Sequence, residues 1–216
     1  MDLLIPKNIN KDRVLKYVQA ENNPDNILAI IDKVLPKVLD ASKPKVTTFS
    51  CDYIPDELIL GEDIKKHLSG CCGVLLFAVT LGTEVDKLIR KMQFESVLDQ
   101  VVCDAVSSVL IEEISESFEE DLKKEYLSKG LYLTSSYASG YGDYPLSTLS
   151  FQLKILDAHR KIGVALTNSG LMSPRKSICV VLGVSKSPVK GFRAGCEHCV
   201  KNLDCKLRKE GKTCVR

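Results

Sequence analysis

L-T-S-S-Y-A-S-G-Y-G-D-Y-P, running from Leu133 to Pro145, is the stretch on which the reading of this chain turns. Three tyrosines (Tyr137, Tyr141, Tyr144) and two glycines (Gly140, Gly142) fall within eight residues of it. Glycine tolerates positive φ and lets a ligand approach the main chain closely. Tyrosine offers a flat apolar face with a polar tip. Such a loop can hold a flat heteroaromatic ligand and hydrogen-bond it through backbone groups. The plainer reading is a tyrosine-rich surface turn closed by Asp143 and Pro145.

The run from Ser136 to Pro145 resembles the signature of the activation domain of cobalamin-dependent methionine synthase, whose motif reads R-x-S/A-P-G-Y-G-D-aromatic-P. Further matches follow in order: Leu153 to Asp157, Lys161 to Thr167, and Met172 to Ser177. Upstream, Ala78-Val79-Thr80-Leu81-Gly82 is similar to the family's strand-to-helix turn. The resemblance covers roughly residues 10 to 185 and is to the short, free-standing members.

Outward from that stretch, the chain of 216 residues is long enough for one sizeable core, with or without an appendage. No apolar run reaches the roughly 18 residues that a membrane span needs. The start, M-D-L-L-I-P-K, is too short and too acidic for a signal peptide, so the expected location is cytoplasmic. Charge is uneven: residues 186 to 216 carry +6 and residues 1 to 185 carry −4. The expected division is therefore an activation-domain-like body, 1 to 185, and a basic cysteine-rich tail, 186 to 216. A basic tail can bind nucleic acid, but this one has Phe192 alone as an aromatic, which argues against that partner.

Asn10 to Ala20 reads as a helix, and a second helix follows Asn23-Pro24-Asp25, with Pro36 expected to kink or break it. Lys45 to Tyr53 and Glu57 to Leu60 read as strands and Glu62 to Leu68 as a helix. Gly73 to Thr80 is continuously apolar, which predicts a central strand covered on both faces. Leu81-Gly82-Thr83-Glu84 turns this strand into a helix running to about Met92; the turn could hold an anion on its free amides, or Thr83 is an ordinary N-cap. Phe94 to Tyr126 is the longest helical pattern, with Val106, Leu110, Ile114, Phe118, Leu122 and Tyr126 as a core stripe. Gly130 to Tyr137 reads as a strand, Ser147 to Ala158 as a helix ending before His159, and Ile162 to Thr167 and Lys176 to Val184 as strands. Helices first and strands alternating later give an α+β class. The resemblance implies a helical N-terminal part packed with a twisted mixed or antiparallel sheet.

It further implies S-adenosylmethionine binding for the reductive remethylation of cobalamin carried by a separate methyltransferase chain, with an electron from flavodoxin or a similar donor. Ala138 and Gly140 would offer backbone groups to the ligand and Tyr141 an aromatic edge. A glutamate of the long helix would accept from its ammonium. Aligning the apolar stripe places that glutamate at Glu112, whereas the helical angle of about 100° per residue favours Glu113. Where the family has arginine this chain has Ser136. Serine offers one neutral donor in place of a charged fork, and Arg175 is the nearest substitute cation in a matched motif.

The second signal is Cys196-x-x-Cys199 followed by Cys205 and Cys214. Two thiolates on one turn suit a soft metal ion or an iron–sulfur cluster, and the spacing leaves zinc and iron both open. Cys51, Cys71, Cys72, Cys103 and Cys179 sit in apolar or strand contexts and read as core fillers. Two functions follow: an S-adenosylmethionine-binding reactivation module, or a metal protein on the same fold that passes electrons to a corrinoid protein without that ligand.

Overall fold

The computed structural model describes residues 3–192 and 203–209. Two short-to-medium helices come first, α1 (Lys11–Tyr17) and α2 (Asp25–Ala41). Asn10 caps α1, its side chain accepting from Arg13 N at 3.2 Å. Of the kink or break expected at Pro36, there is no break: Pro36 lies inside α2, which continues through it to Ala41. Then follow β1 (Lys45–Cys51), α3 (Glu62–His67), β2 (Gly73–Thr80), α4 (Thr83–Met92) and α5 (Val97–Ser128). The rest comprises β3 (Tyr132–Leu133), α6 (Thr148–Ile155), α7 (Ala158–Ile162), β4 (Ala165–Leu166), β5 (Met172–Ser173), β6 (Ser177–Ser185) and α8 (Lys206–Lys209).

Four strands form one sheet in the order β1-β2-β6-β3, and β4 pairs with β5 in a separate ribbon. β3 runs antiparallel to β6, with Leu133 opposite Val184. Every residue of β2 is buried, as its unbroken apolar sequence requires. On α5 the expected stripe is buried at Val106, Leu110, Ile114, Phe118 and Leu122, while Tyr126 at its end is half-buried. The fold is α+β with an antiparallel sheet.

Several local expectations are corrected. Glu57 to Leu60 is not a strand; Asp56–Leu58 forms a single 3-10 turn in which only Leu58 is buried. The strand expected over Gly130 to Tyr137 pairs regularly at Tyr132 and Leu133 and again at one isolated bridge, Tyr137 to Val181. Between them Ser135 N turns away to Lys190 O at 3.2 Å. The helix expected to run to Ala158 stops at Ile155. Asp157 then adopts φ +52, and a new turn places His159 within α7. Thr83 is not the N-cap of α4; Gly82 is, with its amide donating to Thr80 Oγ1 at 3.1 Å. Of the five cysteines read as core fillers, Cys103 and Cys179 are buried, Cys51 and Cys71 are half-buried, and Cys72 is exposed.

The chain divides into two compact units. The first comprises Met1–Thr47, Ala78–Leu122 and Leu156–Ile178, and the second comprises Thr48–Phe77, Lys123–Ile155 and Cys179–Arg216. In the first, Lys176 is buried with its ammonium 2.9 Å from Asp104 and 2.8 Å from Ser108 Oγ, which fixes the start of β6 on α5. In the second, Tyr137 and Val181 exchange backbone hydrogen bonds at 2.8 and 2.9 Å and fix the start of the tyrosine loop. Among the described residues no helix is long and apolar enough to cross a membrane.

Candidate functional site

The loop from Thr134 to Pro145 belongs to the second unit, and α3 buttresses it from both ends. At the helix N-terminus no side chain of its own caps the free amides. Asp143 of the loop does so instead, accepting from Glu62 N at 2.7 Å and Asp63 N at 3.0 Å. At the other end His67 is fully buried. Its Nδ1 lies 2.7 Å from Phe192 O, and its Nε2 lies 3.0 Å from Thr134 Oγ1 and 2.9 Å from Ser135 O. The His67 ring also packs on Tyr137, with centroids 4.8 Å apart.

Tyr137 sits at the centre of an aromatic cluster, 6.3 Å from Tyr141 and 6.0 Å from Tyr144 between ring centroids. Beneath the loop the fully buried Gln152 of α6 donates to Ser139 Oγ and Tyr144 Oη, both at 2.9 Å, and accepts from Cys179 Sγ. Ser139 and Thr148 hydroxyls share a further bond of 2.6 Å. This polar floor holds the loop in one shape. Burial raises the Tyr144 phenol above its ordinary range, and the Cys179 thiol is pushed up to about 12, so both stay protonated.

Partial burial of the Asp143 carboxyl would raise its pKa, but the amide donors of Asp63 and Glu62, its own amide and the Lys66 charge together set it below the ordinary value. A carboxylate depressed in the folded state adds stability above its unfolded pKa, roughly 3.9. That stability is lost as pH falls through the lower folded value. Asp143→Asn should therefore trail the wild type in melting temperature near neutral pH, with the gap closing below about pH 4. Asp143 is exposed, so solvent keeps the gap small. A gap constant from pH 3 to 7 would rule out the charge as the source.

The structure brings four of the expected ligand residues together on this loop. Ser136 and Ala138 are half-buried; Ala138 O accepts from Tyr141 N at 3.2 Å. Gly140 adopts φ +92 and donates to Tyr144 O at 2.8 Å. Tyr141 is 62% exposed, its ring presented to solvent.

Glu112 and Glu113 belong to the first unit, where α1 engages both. Glu112 accepts from Arg13 Nη2 at 2.7 Å and from the Tyr17 hydroxyl. Glu113 accepts from Asn10 N at 2.8 Å, and Arg13 also reaches Glu116 at 2.8 Å. Burial raises the Glu112 carboxyl, against the lowering effects of Tyr17 and Arg13. Arg175 lies in the first unit too, its amide donating to Asp86 at 2.8 Å. Nothing in the sequence signalled Arg13, Tyr17 or the buttressing residues Asp63 and His67, because their partners lie far along the chain.

Of the expected metal ligands, Cys205 is half-buried, while Cys196, Cys199 and Cys214 lie outside the described residues. Among the described residues there is no group of three or more His, Cys, Asp or Glu side chains that could hold a metal ion.

Residues 8–196 match the family described as "Vitamin B12 dependent methionine synthase, activation domain". No curated protein matches the chain significantly. Among solved structures, the "Crystal Structure of the MetH Reactivation Domain bound to AdoHcy" superposes with a TM-score of 0.56 at 16% identity, covering 93% of this chain and 77% of that one. At that identity the likeness is one of fold.

Proposed function

We propose, because the chain belongs to the family of the vitamin B12 dependent methionine synthase activation domain, that it binds S-adenosylmethionine and serves the reductive reactivation of a cobalamin held by a partner methyltransferase chain. The observation that carries this reading is the loop itself. Gly140 holds the turn at φ +92 and Tyr141 presents its ring to solvent. The reactivation domain of the same fold is bound to AdoHcy, a ligand with the same adenosyl group.

These residues fit the adenosyl end of such a ligand. Tyr141 offers a flat face and Ala138 and Gly140 offer main-chain groups at the point where glycine removes a side chain. Held there by Ala138, Gly140 and Tyr141, S-adenosylmethionine would supply a methyl group for reduced cobalamin, with a flavodoxin-like protein as the proposed electron donor. The fit is poorer at the amino-acid end. Ser136 stands where the family carries arginine, and α1 already engages Glu112 and Glu113.

Calorimetric titration with S-adenosylmethionine tests the reading directly. Ser136→Arg should tighten binding by about 10- to 100-fold, the value of one charge-assisted hydrogen bond. No heat with either protein would remove the ligand assignment.

The serine also favours a second reading: an iron–sulfur cluster or zinc held by Cys196, Cys199, Cys205 and Cys214, with electrons passed to a corrinoid protein and no S-adenosylmethionine used. Anaerobic purification and metal analysis separate the two readings. A brown, iron-loaded protein silent in the titration supports the second.

A further inference from the structure

Beside Gly142 one buried hydroxyl has no hydrogen-bond partner among the described residues, and one buried carboxylate has a single long one. Tyr137 is 5% exposed, and its hydroxyl has no hydrogen-bond partner among the described residues. Asp63 is 7% exposed, with no ion pair among the described residues, and its carboxylate accepts one long bond, 3.4 Å, from Asp143 N. Both oxygens border Gly142. A Cβ built on Gly142 would lie 2.1 Å from Asp63 Oδ2 and 3.0 Å from Tyr137 Oη, so the oxygens are about 5 Å apart at most. A group making contacts of roughly 2.7–3.0 Å to each spans such a gap.

Charge decides what that group is. A buried carboxylate without a cation is costly, and a water molecule would satisfy its hydrogen bonds but not its charge. Asp143 adds a second carboxylate nearby, already committed to the amides of α3. Burial, then Asp63 and then Asp143 push the Tyr137 phenol up to about 12, so it remains a neutral hydroxyl whose oxygen can face a cation.

We propose that Tyr137 Oη and Asp63 Oδ2 hold a small monovalent cation against Gly142, either potassium or ammonium from solution or the ammonium end of an amino-acid-bearing ligand. The site stands whether or not the loop takes S-adenosylmethionine.

Melting at constant ionic strength in potassium, ammonium or tetramethylammonium chloride tests it. Potassium or ammonium should raise the melting temperature saturably by about 3 °C over the tetramethyl ion, which is too large to enter. Asp63→Asn and Tyr137→Phe should each lose that increment. Tyr137→Phe keeps the carboxylate and removes one unpartnered hydroxyl, so it reads out the site even where Asp63→Asn fails to fold. Equal melting of the wild type in all three salts, as a site filled by water alone requires, overturns the proposal. So does an undiminished increment in Tyr137→Phe. Adding S-adenosylmethionine separates the two sources. If its ammonium is the cation, it suppresses the potassium increment where 5′-methylthioadenosine, which has no ammonium, does not. A persisting increment with no binding of S-adenosylmethionine keeps the cation site and removes the ligand reading.

Discussion

Gly142→Ala should lower stability by about 3 kcal/mol or more and abolish whatever binding the loop supports. Two costs combine at this position. Gly142 adopts φ +54, and an L-residue there incurs roughly 1–2 kcal/mol. Its new Cβ would also fall 2.1 Å from Asp63 Oδ2, and neither neighbour can yield freely. Asp63 is buried at the start of α3, and Gly142 is tied to Asp143, whose carboxylate caps that helix. Relieving the overlap therefore displaces the loop from its buttress.

Gly170→Ala isolates the first cost, since Gly170 has φ +78 with nothing within 4 Å of its would-be Cβ. Urea denaturation of the two variants should show Gly142→Ala losing at least about 1.5 kcal/mol more. Equal losses would mean that the loop shifts without resistance and that α3 does not hold it.

The parts of this arrangement that follow from local periodicity were legible in the sequence. β2 announces itself by unbroken apolarity, and the buried stripe of α5 by its four-residue recurrence. The loop announced itself by composition, and its glycines sit at the positive φ that made them conspicuous. What could not be read is which distant segment each loop residue meets. Asp143 looked like part of a turn, yet its carboxylate caps a helix 80 residues earlier. His67 closes an ordinary short helix, but its ring joins Thr134, Ser135 and Phe192. For Glu112 and Glu113 the sequence offers only the alignment of the apolar stripe and the helical angle. Register says which way a side chain leaves its own helix, not that Arg13 and Asn10 will meet it. The misplaced boundaries share a cause: Asp157 at φ +52 and Ser135 turning to Lys190 are tertiary choices that local propensity does not encode.

Beneath the loop, Gln152→Leu is expected to cost about 2–4 kcal/mol although leucine fills nearly the same volume. The carboxamide has two donor hydrogens and three acceptors within reach: Ser139 Oγ, Tyr144 Oη and Thr148 Oγ1. Ser139 and Thr148 keep each other when Gln152 is lost, and Thr148 keeps Pro145 O at 2.7 Å. The groups that lose their Gln152 bond are the Tyr144 hydroxyl, whose residue is 1% exposed and which keeps only Thr148 and Ser139, already bonded to each other, and the Cys179 thiol. A stranded buried hydroxyl costs roughly 1–3 kcal/mol, and the weaker thiol adds less. The double variant Gln152→Leu/Tyr144→Phe removes both partners of the central bond, so it should recover about 1 kcal/mol or more over the single variant. Amide exchange across residues 138–146 should quicken in Gln152→Leu and slow again in the double variant, since Gly140 N and Tyr144 N close the turn this floor supports. If the two substitutions prove simply additive, the bond between Gln152 and Tyr144 is not what holds the loop, and its shape rests on α3 and on the Tyr137–Val181 pair.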